Sequence, residues 1–252
     1  MTTELEWNDL VLNHQSMEQL NELENEIGDK KTRIKRQRLK HKVGCTSLFY
    51  GPSGTGKTLA ATLLGKRLRR DIYRIDLSLL VSKYIGETEK NLSRIFNAAK
   101  EKNFILFFDE ADALFGKRTN INDAHDRFSN QTTSYLLSRI ETFTGVAILS
   151  SNTSNTIDDV VMRKLFSIIK FPIPDAKERT HLCKRIFSNV DSCEAGLDIP
   201  ELVSGYPLSG GAIVNIKHYI SRIATNSGRR LIKREDLLEG IRKEMAKGPK
   251  RK

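Results

Sequence analysis

No stretch of this 252-residue sequence approaches the ~20 consecutive apolar residues that a membrane-spanning helix requires. The first ten residues, MTTELEWNDL, have no basic stretch followed by an apolar core, which excludes a secretory leader of ordinary type. Cysteine is scarce: Cys45, Cys183 and Cys193 are scattered, odd in number and form no CxxC, so neither a disulfide framework nor a zinc module is expected. They read as reduced packing thiols of a cytoplasmic protein with no membrane partner. Internal repeats and low-complexity tracts are also missing. With 38% hydrophobic and 29% charged residues, the composition is that of an ordinary folded globular chain, neither disordered nor fibrous.

The net charge of +11 is unevenly spread. Residues 1–29 hold eight acidic groups and no Lys or Arg, whereas 30–42 hold eight basic ones, and the chain ends GPKRK. Such basic runs can bind nucleic acid or an acidic partner, and they are equally what a solvated helix face and a frayed tail look like. Upstream, Ser16-x-x-Gln19 predicts a capping box, with Met17, Leu20, Leu23 and Ile27 following at helical spacing.

From residue 46 short apolar runs alternate with longer amphipathic stretches. Strands are predicted at Ser47–Tyr50, Ile72–Ile75, Phe104–Phe108, Gly145–Leu149 and Ser167–Phe171. Helical spacing separates them, as at Leu92, Ile95, Phe96 and Ala99, and at Phe128, Tyr135, Leu136 and Ile140. This alternation predicts an α/β fold with a parallel sheet flanked by helices, which binds ligands at the carboxyl ends of its strands. Phe171-Pro-Ile-Pro174 ends the pattern. Beyond it Asp175-x-x-Glu178 predicts a capped helix, and no further strand is convincing. Three parts are expected: 1–45, an N-terminal helix and basic linker; 46–174, the nucleotide-binding subdomain; and 175–252, a small all-helical lid with a basic tail.

Gly51, Pro52, Ser53, Gly54, Thr55, Gly56, Lys57 and Thr58 match GxxxxGK[ST] in full, after one predicted strand and at the start of a helical stretch, which is the context this P-loop motif requires. The glycines permit torsions and a close backbone approach that side chains would block. Successive amide N–H groups then wrap phosphates at the positive end of a helix. Lys57 can reach the β- and γ-phosphates of ATP, and the Thr58 hydroxyl can ligate Mg²⁺. About 50 residues on, the apolar run Ile105–Phe108 reads as a buried strand that delivers Asp109 and Glu110 at its end. One carboxylate can serve Mg²⁺ and the next can polarise an attacking water. Elsewhere an acidic pair after a strand is often only a helix cap; beside a complete P-loop it reads as a Walker B motif.

With these motifs placed, the chain resembles the AAA-type ATPases along nearly its whole length. Trp7–Leu12 resembles the segment beside the adenine, Ser82–Lys90 the first pore loop, and Asp109–Lys117 the family's Walker B stretch. Ser150-Ser-Asn152 resembles sensor 1, Ile157–Lys164 the arginine-finger segment, and Leu208–Ile213 the start of the lid helix. YRIDLS, SKYIGETEKNL, DEADALFGKR and DAHDR are similar to a bacterial branch, some members of which accompany phage-tail-like contractile injection systems. The resemblance implies a homo-oligomeric, usually hexameric, ring that hydrolyses ATP with Mg²⁺ and threads or grips a protein. In that reading Glu110, Asn152 and Arg163 are catalytic, Arg163 acting on the neighbouring subunit's nucleotide, while Lys83, Tyr84 and Ile85 contact substrate.

There are departures from the family pattern. Relatives often carry two arginines where Arg163-Lys164 stands, and a lysine offers a point charge instead of a fork. No arginine occurs between Gly211 and Ile216, so a sensor 2 arginine is absent there, and Arg222 lies far along the helix. With roughly 45 residues before the first strand, the substrate-recruiting element that many relatives carry is expected to be missing, very short or another protein. Two other readings stay open: a DNA-handling P-loop ATPase of the loader or transposition-regulator type, which the basic runs favour, and a non-catalytic nucleotide-switched assembly factor. Against the first stands the peptide-like Lys83-Tyr84-Ile85; against the second, the presence of both Glu110 and Asn152.

Overall fold

The computed structural model describes residues 1–28, 44–77, 85–112, 134–153, 162–188, 193–227 and 231–247, of which 85–89 are described by backbone alone. Two compact units emerge. The first comprises Met1–Glu6, His14–Gly51 and Lys57–Lys170; the second comprises Trp7–Asn13, Pro52–Gly56 and Phe171–Lys252.

The first unit is built on five parallel strands: β1 (Cys45–Tyr50), β2 (Ile72–Asp76), β3 (Ile105–Asp109), β4 (Val146–Ser151) and β5 (Ser167–Lys170). Their order in the sheet is β2-β3-β4-β1-β5. All five predicted strands are present, with ends moved by one or two residues. β3 and β4 are buried along almost their whole length because both faces are covered, which is why they read as continuous apolar runs. Successive side chains point to opposite faces. Leu106, Phe108, Ala147 and Leu149 therefore share one face, packing with Leu92, Phe96 and Ala99 of helix α3 (Ile85–Glu101) and with Leu136 and Ile140 of helical residues 134–142. Phe96 sits at the centre of this layer, its ring centroid 5.1 Å from Phe143, edge-on, and 5.9 Å from Phe108. The opposite face meets helix α2 (Lys57–Leu68), which contacts β2, β3 and β4.

Helix α1 (His14–Gly28) buries Leu20, Leu23 and Ile27, as their spacing predicts, but the capping box at Ser16 is not formed. The helix begins two residues earlier, so Ser16 lies inside it. Its hydroxyl is buried and donates to the Lys170 carbonyl at 2.6 Å, a tertiary partner at the end of β5 that outcompetes a local cap. The basic run 30–42 lies outside the described residues.

In the second unit, α4 (Ala176–Ile186) opens with the predicted capping box: the Glu178 amide donates to Asp175 Oδ1 at 2.8 Å, and the Asp175 amide donates to Glu178 Oε2 at 2.7 Å. Helices α5 (Ile199–Ser204), α6 (Gly210–Asn226) and α7 (Arg234–Ala246) follow, and Ile213, Ile216, Ile220, Leu237 and Ile241 close a core with Cys183, Phe187 and Val203. Among the described residues its only β-type pairing is one bridge, Cys193 to Ile232.

Burial pushes the Cys183 thiol up to about 12, with Arg179 pulling weakly the other way, so it stays protonated and unreactive near neutral pH. Cys45 is likewise buried, whereas Cys193 is exposed. Titration of the folded protein with a thiol reagent is therefore expected to modify Cys193 quickly and the other two only on unfolding; fast reaction of all three would contradict this packing. Phe96→Ala should cost about 3–5 kcal/mol, the usual range for emptying a buried aromatic site, measured by denaturant unfolding.

Candidate active site

β1, β3 and β4 lie side by side and run the same way, so their carboxyl ends open at one edge of the sheet. The P-loop leaves β1 at Gly51, whose amide donates to the Ser151 carbonyl on β4 at 3.1 Å. Gly54 and Gly56 have φ of 76° and 102°, a region that side chains with a Cβ rarely enter. A Cβ on Gly54 would also stand 2.7 Å from Ser209 Oγ and 3.3 Å from the Gly211 Cα. Within the second unit this loop is tied to α6: the Gly211 amide donates to the Gly54 carbonyl at 2.8 Å, and Ser209 caps the helix by accepting from the Ala212 amide at 3.3 Å. The Thr55 hydroxyl donates to the Pro52 carbonyl at 2.8 Å. Ser53 is exposed and carries no other assigned contact.

Lys57 is buried at the start of α2, with 7% of its surface exposed. Its Nζ donates to the Gly51 carbonyl at 2.5 Å and to Asn152 Oδ1 at 3.3 Å. Burial lowers the Lys57 pKa, while the nearby Asp109 and Asp112 carboxylates pull it back up. Thr58 follows on α2, half-buried. Asn152, at the end of β4, is thus brought to Lys57 from 95 residues away in sequence.

At the end of β3 the Asp109 side chain is mostly buried, and its two oxygens are differently engaged. Oδ1 accepts from the Glu110 amide at 3.1 Å, and Oδ2 accepts from Arg74 Nη2 at 2.7 Å and Nε at 3.0 Å. Glu110 is exposed, and its backbone is left-handed at φ 55°, a strained conformation for a residue with a long side chain. Asp112, two residues on, joins this cluster through the end of β4. Its Oδ1 accepts from the Ser151 hydroxyl at 2.6 Å and its Oδ2 from the Asn152 amide at 2.9 Å. Its spacing three residues after Asp109 is visible in sequence; its partners are not, because they depend on β3 neighbouring β4. Nothing in the sequence around Arg74 marks its pairing with Asp109.

The donor set suits a nucleotide with Mg²⁺. The loop backbone occupies torsions reserved for glycine, and the buried Lys57 ammonium at its end is a cation suited to a phosphate. The Thr58 hydroxyl and the Asp109 carboxylate are hard oxygens of the kind Mg²⁺ takes. Asp109 Oδ2 already faces a cation, the Arg74 guanidinium.

Other residues are placed elsewhere. Arg163 is exposed, and among the described residues no hydrogen bond or ion pair engages it. Its neighbour Lys164 is taken by Glu141 at 2.8 Å. Arg222 lies on α6 with its guanidinium 6.0 Å from the Tyr219 ring. Trp7–Asp9 form a single 3₁₀ turn, held to α4 by Arg185, which donates to the Asn8 carbonyl and, at 2.6 Å, to Asp9 Oδ1. Lys83 and Tyr84 lie outside the described residues, and Ile85 opens α3 with its side chain likewise undescribed.

Residues 47–173 match the family model described as "ATPase family associated with various cellular activities (AAA)". Among curated proteins the chain is similar to a proteasome-activating nucleotidase of Methanoregula boonei, 31% identical over 238 residues, covering 90% of this chain and 54% of that protein. It is 30% identical over 204 residues to 26S proteasome regulatory subunit 7 of Dictyostelium discoideum, covering 78% of this chain and 47% of the relative. Over 204 residues it is 28% identical to 26S proteasome regulatory subunit S10B homolog B of Arabidopsis thaliana, with 78% and 51% covered. The chain thus spans about half the length of these relatives. No helix among the described residues is long and apolar enough to cross a membrane. A family match over half of the chain, on a parallel sheet whose strand ends gather a P-loop lysine, an acidic pair and an asparagine, places the protein in the AAA family of ATPases, which use ATP with Mg²⁺.

Proposed function

We propose that the chain hydrolyses ATP and spends the free energy on unfolding, pulling on or remodelling a protein, as a homo-oligomeric and hexameric ring in the cytoplasm. The observation that carries the hydrolytic part is the meeting of Lys57 with Asn152, 3.3 Å apart, on the edge where β3 presents Asp109 and Glu110. The protein-remodelling part is supported by the relatives, whose names tie them to the proteasome. Membership of the branch that accompanies contractile injection systems is proposed on the similarity of the quoted stretches alone.

In this reading the loop amides of residues 51–56 and the Lys57 ammonium bind the phosphates, while Thr58 and Asp109 hold Mg²⁺. Held there, Mg²⁺ would supply charge neutralisation for the phosphates. Glu110 orients a water and takes up its proton, and the Asn152 amide fixes that water's position. Arg163 has no partner among the described residues of its own chain, which fits a guanidinium that reaches a neighbouring subunit's γ-phosphate. Lys83, Tyr84 and Ile85 are assigned to gripping the substrate polypeptide.

Lys57→Ala is expected to abolish nucleotide binding. Glu110→Gln should keep binding and lose hydrolysis by ~10²–10⁴-fold, the usual effect of removing a positioned base. Turnover by Glu110→Gln within a few-fold of wild type would overturn that assignment.

Because the finger acts in trans, ATPase rate per subunit should rise with protein concentration. Arg163→Ala should bind nucleotide yet lose most turnover, and mixing it with Lys57→Ala subunits should restore part of the activity at interfaces where an intact loop meets an intact finger. Full activity of Arg163→Ala at every concentration would mean that the finger lies elsewhere or that no ring is needed.

The DNA-handling alternative makes a separate demand. DNA is expected not to stimulate hydrolysis, and any binding by Lys30–Lys42 should weaken steeply with salt, with a slope near −0.9 per phosphate contacted. A several-fold stimulation at physiological salt would favour that alternative.

A further inference from the structure

We infer that Asp112 is a positioning residue for hydrolysis: it clamps the end of β4 so that the Asn152 side chain faces Lys57. The inference rests on the hydrolytic role proposed above for Asn152 and goes beyond it, since Asp112 would act through the contacts it makes with Ser151 and Asn152.

Three bonds join the chain just after β3 to the end of β4. The Ala111 amide donates to the Ser150 carbonyl at 2.7 Å, the Ser151 hydroxyl to Asp112 Oδ1 at 2.6 Å, and the Asn152 amide to Asp112 Oδ2 at 2.9 Å. The last two use both oxygens of one carboxylate, as charge-assisted bonds, which are stronger and shorter than neutral ones. Ser151 is buried; its one hydroxyl proton is shared between Asp112 Oδ1 and the Thr153 carbonyl, and its oxygen accepts from the Thr153 amide at 3.2 Å, so the turn that follows β4 is organised around the same hydroxyl. With its backbone held in this way, Asn152 accepts from Lys57 Nζ at 3.3 Å, and Lys57 reaches back to the Gly51 carbonyl at 2.5 Å. A continuous chain of contacts therefore runs from Asp112 through Asn152 and Lys57 to the first residue of the P-loop. Among the described residues the Asn152 backbone amide has no other acceptor. Without Asp112 it would point to solvent, and the amide side chain, exposed at the strand end, would lose the anchor that fixes its direction.

Breaking the clamp takes a truncation, because asparagine at 112 could still accept from the Asn152 amide through its oxygen and donate its NH₂ to the Ser151 oxygen. Asp112→Ala removes both acceptors and so breaks both links.

Four measurements on the full chain test the inference. In the absence of nucleotide, amide hydrogen exchange at Asn152 should be ~10-fold or more faster in Asp112→Ala, the scale of losing one bond to a charged acceptor; unchanged exchange would overturn the clamp. Nucleotide affinity should stay within ~3-fold of wild type because Lys57 and the loop are untouched, while kcat falls towards that of Asn152→Ala. The double variant Asp112→Ala/Asn152→Ala should be no slower than Asn152→Ala alone, since residues acting through one another are non-additive. Losses that multiply would mean that Asp112 acts by another route. Ser151→Ala spares the Asn152 amide bond and should slow turnover several-fold; if Asp112→Ala does not fold, wild-type turnover by Ser151→Ala overturns the proposal. Wild-type turnover by Asn152→Ala would instead refute the role of Asn152, whereas a slow Asn152→Ala beside a fast Asp112→Ala refutes only the clamp.

Discussion

The arrangement turns on one buried ammonium. Lys57 is almost fully removed from solvent, and a charge there is tolerated because the Gly51 carbonyl and the Asn152 amide oxygen accept its protons while Asp109 and Asp112 supply compensating field. Its attraction for a phosphate anion is strengthened by the same desolvation that burdens it. Everything else at this edge serves that condition. The P-loop has to turn back within a few residues so that its own first carbonyl meets the lysine at its end, and β4 has to deliver an acceptor from the other side.

Sheet order makes the delivery possible. β1 and β4 are neighbours although about a hundred residues separate them, and β3 flanks β4 on its far side. Parallel pairing in register, Tyr50 with Ser151 and Phe108 with Leu149, sets three strand ends level. The polar residues immediately beyond those ends are then adjacent without any loop having to reach. The apolar interior of the strands, with Phe96 and Phe108 on one face, keeps those ends in place.

Much of this could be read in the amino-acid sequence, and the limits have physical reasons. β1, β3 and β4 were legible as short, largely apolar runs, β2 and β5 as short β-type runs, and the capping box at Asp175 because its signal is local. Ser16 misled for the converse reason: a serine before an apolar stretch has the pattern of a cap, but a carbonyl 154 residues away claimed its hydroxyl. The P-loop and the acidic pair were legible as motifs, since a phosphate-binding turn tolerates few sequences. The Asp112 contacts were not, because they depend on strand order, which no local pattern encodes. Arg74 was hidden by its position in the middle of β2, where a charged residue ordinarily means only an exposed strand face. Arg163 belongs to a different kind of problem. If it completes a neighbour's site, as proposed, the lack of a partner among the described residues of its own chain is what that role would leave.

Glu110 has a left-handed backbone at φ 55°, held beneath its own N–H bond to Asp109. Such a conformation costs on the order of 1–3 kcal/mol for a residue other than glycine. Position 110 is therefore one at which laboratory evolution for heat resistance and natural selection for work would pull in opposite directions. Glycine or asparagine there would relax the chain and raise the melting temperature while removing the carboxylate, so, on the role proposed for Glu110, a library ranked on stability alone would enrich inactive enzymes at this codon. A thermostabilised form of this protein would have to find its gains elsewhere and keep the glutamate, strain included.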